Sequence, residues 1–261
     1  MTLAEYEIDP FTHDGTTRDV YRRGSGPAVL VMAEMPGITP KVVEFADRVV
    51  DIGCTAVLPH LFGTPDKPGL DDRGRPDVPY MMKSMLGGCI SRDFATFALH
   101  RSSPVIEWLR ALGRREHERC GGPGIGAIGM CFTGGFALAM ATDPSLLAPV
   151  LSQPSLPLGI GKARKAAIDC SPEDLAIVKD RCATDGLQVL GMRFTGDPLV
   201  PGERFAFLRR ELGDAFVAVE IEGKGHSVVT EHLVDMEGHP TMAALGQVLD
   251  LFRSKLLVSP S

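Results

Sequence analysis

Gly124-Ile-Gly-Ala-Ile-Gly-Met-Cys131-Phe-Thr-Gly-Gly-Phe-Ala-Leu-Ala-Met-Ala141 decides how the rest of the chain is read. Ile125 to Met130 is a short apolar run of small and β-branched residues, the pattern of a buried parallel strand. Phe136 to Ala141 is built mostly from good helix formers. Between them sits one cysteine, flanked by Gly129 and the pair Gly134-Gly135. Strand, sharp turn and helix, with a nucleophilic side chain at the apex, is the plan of a nucleophile elbow. A strained turn leaves little room for neighbouring side chains, which gives the glycines their reason. A helix starting just after Cys131 brings free N–H groups and the positive end of a dipole near the sulfur, and both favour a thiolate.

Two plainer readings compete. Cysteine is among the most buried residue types, and many that flank a strand are inert core. Gly124, Gly126 and Gly129 also spell G-x-G-x-x-G, but a dinucleotide loop follows its strand and opens a helix. Here the glycines lie before and inside the apolar run, and no acidic ribose partner stands out.

Outward from this stretch, strands and helices alternate. Ala28-Val-Leu-Val-Met-Ala33 reads as a buried strand running into Glu34-Met-Pro-Gly37. Lys41 to Ile52 reads as an amphipathic helix with Val42, Phe45, Ala46 and Val49 on one face, started by Thr39 or Pro40 and ended by Gly53. Thr55 to Leu58 is the next strand, which completes a right-handed βαβ unit. Upstream, residues 5–22 carry two short strands around the turn His13-Asp-Gly15. Downstream, Pro59 to Pro79 is a long Pro-, Gly- and Asp-rich loop, and Phe94 to Leu112 reads as a helix interrupted near Pro104. Strands are expected at Pro149 to Gln153, Leu187 to Thr195 and Val217 to Ile221, with a loop over Pro154 to Lys165. Ser171-Pro-Glu-Asp174 is an N-cap with proline at the first helical position, opening a helix to about Asp185. Further helices span Pro201 to Leu212 and Thr241 to Lys255. This order predicts an α/β fold with a doubly wound, mostly parallel sheet and helices on both faces, as one domain over residues 1–261.

Composition narrows the function. The chain has 261 residues, 44% hydrophobic, enough for one large core, and a net charge of −6. No basic cluster suggests a nucleic-acid face. No apolar run approaches a membrane span, and the first residues have neither a basic nor an apolar leader region. The six cysteines are scattered, without C-x-x-C pairs or ligand-like spacing to histidine. That argues for reduced thiols in a cytoplasm and against a disulfide framework or structural zinc.

Ligands of such sheets bind beyond the carboxyl ends of the strands. Glu34, Cys131, Asp197 and His226 each fall just past a predicted strand. Nucleophile, acid, then histidine is the chain order of α/β-hydrolases. Cys131 then attacks an acyl carbonyl, His226 takes and returns the proton, and Asp197 orients the imidazole. The backbone N–H groups of Phe132 and Met35 are candidates for the oxyanion hole. Alternatives stay open for single residues. Gly196-Asp197-Pro198 also reads as a simple turn. His60 is a second candidate base, and Glu34 reads either as a helix cap or as a proton partner of the thiol.

Taken together, Val29 to Glu34, Gly129-Met-Cys131-Phe-Thr-Gly-Gly135, Gly196-Asp197 and Gly225-His226-Ser227 resemble the dienelactone hydrolase family. The resemblance implies an α/β-hydrolase with a Cys–His–Asp triad that opens lactones or small activated esters through a thioester acyl-enzyme. It implies no metal or organic cofactor and gives Glu34 a switch role, holding the resting thiol protonated and swinging away when substrate binds. Two positions depart from the pattern. Thr133 stands where the prototype has glycine, and Thr230 where it has the arginine that binds the substrate carboxylate. Arg92 and Arg204 are candidates to supply that cation, with Ser227 as a further substrate contact. The expected state is a cytoplasmic monomer or small homo-oligomer acting on a small molecule, with neither nucleic acid nor membrane as partner. Other readings are a non-catalytic small-molecule binder on the same fold, or a redox-sensing thiol, which would want a resolving cysteine nearby.

Overall fold

Two apolar strands, Ala28–Met32 (β5) and Ile125–Met130 (β7), lie side by side and parallel, every residue buried. In the computed structural model, which describes residues 2–69, 77–90, 103–155 and 166–257, they form the centre of an eight-stranded sheet. The other members are Glu7–Ile8 (β1), Val20–Gly24 (β4), Thr55–Pro59 (β6), Leu146–Ser152 (β8), Val189–Phe194 (β9) and Phe216–Ile221 (β10). Their order is β1-β4-β6-β5-β7-β8-β9-β10. β1 and β4 run antiparallel to their neighbours, and the pairs from β6 to β10 are parallel. The chain leaves β5 to build β6 on one side, then returns to build β7 on the other. Strand order thus reverses between β5 and β7, the place where doubly wound sheets hold their ligands.

Helices cover both faces. Pro40–Asp51 (α1) lies on one side with the last helix, Pro240–Leu256 (α7), sharing a core that includes Val42, Phe45, Val49, Val248 and Phe252. Thr39 caps α1 by accepting from the Val42 amide, with Pro40 at its first position. On the other side lie Pro104–Cys120 (α3), Gly134–Met140 (α4), Pro172–Thr184 (α5) and Gly202–Leu212 (α6), around Trp108, Leu109, Phe136, Val178 and Phe205. Ser171 caps α5 through the Asp174 amide, as its sequence predicts.

Three differences from the sequence reading have local causes. Val78–Ile90 forms a helix, α2, that was not anticipated; Asp77 supplies its start, its carboxylate accepting from the Tyr80 amide at 3.1 Å. Pro104 begins α3, because proline fits a first turn that needs no N–H, and the helix runs on to Cys120, beyond the expected end at Leu112. The N-terminal region holds four strands rather than two. Phe11–His13 (β2) and Thr16–Arg18 (β3) make a separate hairpin, pinned to α3 where Trp108 donates to the Thr16 carbonyl and Phe11 meets the Trp108 ring edge-on. The expected helical stretch before residue 103, most of the loop at 154–165 and Arg92 lie outside the described residues. No helix among those residues is long and apolar enough to cross a membrane.

One buried cation closes the junction between α4 and β8. The Arg181 guanidinium, on α5, donates to the carbonyls of Ala141, Asp143, Leu146 and Pro144. Exchange for methionine fills a similar volume but leaves those carbonyls without their donor. Arg181→Met is expected to lower stability by roughly 2 kcal/mol or more, since each orphaned buried polar group costs about 1–3 kcal/mol. Denaturant titration checks this, and an unchanged midpoint would contradict it.

Candidate active site

β7 ends at Met130, and the next residue, Cys131, takes φ +54°, a left-handed conformation uncommon outside glycine. A single 3₁₀ turn at Cys131–Thr133 then leads into α4. The crowding explains the flanking glycines. A Cβ on Gly129 would meet the Thr133 carbonyl oxygen at 2.0 Å, and one on Gly134 the Pro154 Cα at 2.4 Å. Thr133, where the resemblance leads one to expect glycine, is fully buried and fastens the turn. Its hydroxyl donates to the Met32 carbonyl at 2.8 Å and accepts from the Met130 amide at 2.9 Å. The elbow is therefore tied to the end of β5.

The two candidate oxyanion donors follow the ends of neighbouring strands. Met32 pairs with Gly129, and Met35 and Phe132 each lie three residues further on. Met35 precedes a cis peptide bond to Pro36. The Phe132 ring meets Phe62 edge-on, at 6.3 Å between centroids. Phe62 in turn lines a cavity of about 600 Å³ with Leu61, Thr64, Lys67, Tyr80 and Lys83.

Asp197 and His226 come together from the loops after β9 and β10. Asp197 is buried, and both carboxylate oxygens are engaged: Oδ1 accepts from the Leu199 amide at 2.9 Å, and Oδ2 lies 2.6 Å from His226 Nδ1. The Ser227 amide donates to His232 Nδ1, which steadies the loop bearing the imidazole. His226 Nε2 is buried with no well-formed hydrogen bond. Cys131 and Asp197 are the two groups whose hydrogen bonding and charge act on this imidazole. Burial alone would lower the His226 pKa; hydrogen bonding and charge from Asp197 and Cys131 outweigh it and raise the value to about 10.

Glu34 is engaged otherwise than the resemblance implies. Its carboxylate is buried and accepts from Ser227 Oγ at 2.5 Å, Gln153 Nε2 at 3.1 Å and the Thr230 hydroxyl. It makes no hydrogen bond to Cys131. The sulfur lies instead 3.0 Å from Ser155 Oγ, while the Ser155 amide donates to the Cys131 carbonyl at 2.9 Å. Glu34 also does not cap α1, a role that Thr39 fills.

Of the two cation candidates, Arg204 is the one among the described residues. Arg204 is almost completely buried, and its guanidinium donates to the carbonyls of Ala167, Pro154 and Leu199. It braces the loops, and its charge couples to those of Asp169, Asp197 and Cys131. Ser227, expected to meet substrate, is committed to Glu34. His60, the alternative base, lies 3.0 Å from the Gly63 carbonyl through Nε2. Gln153 and Ser155 were missed. Both follow the end of β8, as Cys131 follows β7, and that placement was the available signal. Gln153 has φ +37° and is fully buried. Among the described residues no cluster of histidine, cysteine, aspartate and glutamate could hold a metal ion.

Comparison with known proteins agrees with this architecture. The sequence profile of the dienelactone hydrolase family matches residues 18–153. A Klebsiella pneumoniae protein described as a dienelactone hydrolase superposes with a TM-score of 0.66 at 18% identity, over 95% of this chain and 97% of its own. A dienelactone hydrolase from Anabaena variabilis gives 0.56 at 14% identity, over 96% and 98%. A dienelactone hydrolase-like promiscuous phosphotriesterase from metagenomic libraries gives 0.59 at 17% identity, over 96% and 98%. No match was found among curated proteins. At such identities the superpositions speak for the fold, and the profile, which spans more than half of the sequence, speaks for descent: the chain belongs to the dienelactone hydrolase family of α/β-hydrolases.

Proposed function

We propose that this chain hydrolyses lactones or small activated esters, with Cys131 as nucleophile, His226 as acid and base, and Asp197 as the group that orients and charges the imidazole. The observation carrying this reading is the 2.6 Å contact of Asp197 with His226 Nδ1, which leaves Nε2 for the sulfur at the elbow. His226 takes the thiol proton on Nε2. The thiolate adds to the carbonyl carbon, and the carbonyl electron pair moves to oxygen, to which we assign the amides of Met35 and Phe132 as donors. Collapse of that intermediate breaks the ester C–O bond, and Nε2 gives its proton to the departing oxygen. Water then attacks the thioester while His226 takes its proton, and the second collapse expels the Cys131 thiolate beside an imidazolium. We assign the body of the substrate to the cavity walled by Phe62 and Tyr80, on the strength of the Phe62–Phe132 ring contact that links it to the elbow. Glu34 supports the chemistry by joining the loops that carry Met35 and His226 through Ser227 and Thr230.

Cys131→Ala is expected to reduce hydrolysis of aryl esters or enol-lactones by about 10³-fold or more while binding persists. Retained turnover would refute the nucleophile. No turnover by the unaltered protein, with binding retained, would favour a non-catalytic binder.

The imidazolium also contributes to folding. Its folded-state pKa lies above the ordinary 6.5, so its contribution is complete below pH 6.5 and is lost as pH rises through about 10. Thermal unfolding of the wild type is expected to drop more steeply between about pH 7 and 10 than that of His226→Gln. Parallel curves would contradict a charged, paired His226.

A further inference from the structure

We propose that the Ser155 hydroxyl is a hydrogen-bond donor to the Cys131 nucleophile, holding the sulfur as a thiolate and aiming it before substrate arrives. The inference rests on Cys131 being the nucleophile. Three observations carry it. Ser155 Oγ is 3.0 Å from Sγ, and that is its one side-chain hydrogen bond among the described residues. Ser155 is largely buried, so water competes poorly for that hydroxyl. Its amide simultaneously donates to the Cys131 carbonyl, so one residue grips the backbone and the side chain of the strained elbow. The charged groups whose electrostatics couple to Cys131 are His226, from the loop after β10, and Arg204, from α6. Asp197 acts through His226, and Glu34 is held by Ser227, Thr230 and Gln153. A hydroxyl with one proton and one sulfur neighbour can satisfy a thiolate only by donating to it. With the proton on His226 Nε2, the sulfur then has an imidazolium on one side and a donor on the other. As the thiolate attacks, its charge passes to the substrate oxygen and the Ser155 bond weakens. Ser155 thus sets the resting ionisation and orientation of the nucleophile and leaves proton transfer to His226.

The test reads the resting thiol without substrate: the rate of iodoacetamide alkylation at Cys131, followed across pH by mass spectrometry of its peptide, in wild type, Ser155→Ala and Ser155→Thr. Alanine keeps the amide bond to the Cys131 carbonyl and removes only the hydroxyl. Its profile is expected to shift upward by about one pH unit, a roughly tenfold slower reaction at neutral pH, because a hydrogen bond to a charged group has about that strength. Threonine restores the donor and is expected to return the profile toward wild type. Superimposable profiles for wild type and alanine would overturn the proposal. An equal shift in alanine and threonine would also overturn it, by showing a packing effect. Thermal unfolding of each variant guards against a folding defect, and a shifted alanine profile in a protein melting near wild type supports the donor role. Alkylation requires no turnover. If Cys131→Ala leaves hydrolysis intact, the nucleophile assignment fails while the alkylation result still reports on the Ser155–Cys131 bond.

Discussion

A cysteine held at positive φ is the constraint on which the rest of this molecule turns. For a residue with a Cβ, the left-handed region costs roughly 1–2 kcal/mol, and it persists only where surrounding contacts over-determine it. Here they do. The Thr133 hydroxyl ties the turn to the carbonyl end of β5, and the Ser155 amide ties it to the segment after β8. Gly129 and Gly134 allow backbone atoms to come closer than any side chain would permit. Because these ties run to strands on both sides of β7, the elbow is fixed by the sheet and not by its own local preference.

Much of this was written in the sequence, and the reasons are physical. Parallel strands buried on both faces leave continuous apolar runs, so β5, β6 and β7 stand out from Ala28, Thr55 and Ile125 onward. Helices with Thr39 or Ser171 ahead of a proline declare their starts. Once strand order is known, the positions of Cys131, Asp197 and His226 just past strand ends imply that they meet. Hidden from such reading were contacts made by side chains of ordinary chemistry in ordinary loops. Gln153 and Ser155 carry no motif, and only the coordinates show that the tip of β8 reaches the sulfur. Arg204 reads in the sequence as a candidate cation for a substrate carboxylate, because charge alone does not reveal that its guanidinium donates to three carbonyls.

The two departures from the family pattern become intelligible as one rearrangement around Glu34 and the elbow. Thr230, where the resemblance leads one to expect arginine, gives its hydroxyl to Glu34, with Ser227 and Gln153 supplying the other donors. Thr133, in place of glycine, spans from the elbow to the strand that delivers Glu34. The carboxylate thereby joins the segments after β5, β8 and β10, and the sulfur is left to Ser155 and His226.

Glu34 is held by two hydroxyls and an amide, without a cation among these partners. Mobile ions weaken exposed charge pairs, such as that of Arg48 with Asp235, by screening them over about 8–10 Å in ordinary buffers. They have little purchase on short bonds from neutral donors to a carboxylate shut away from solvent. The crossing of loops around the Cys131 sulfur is thus a structure little affected by ionic strength, set within a periphery whose charge pairs loosen as salt is added.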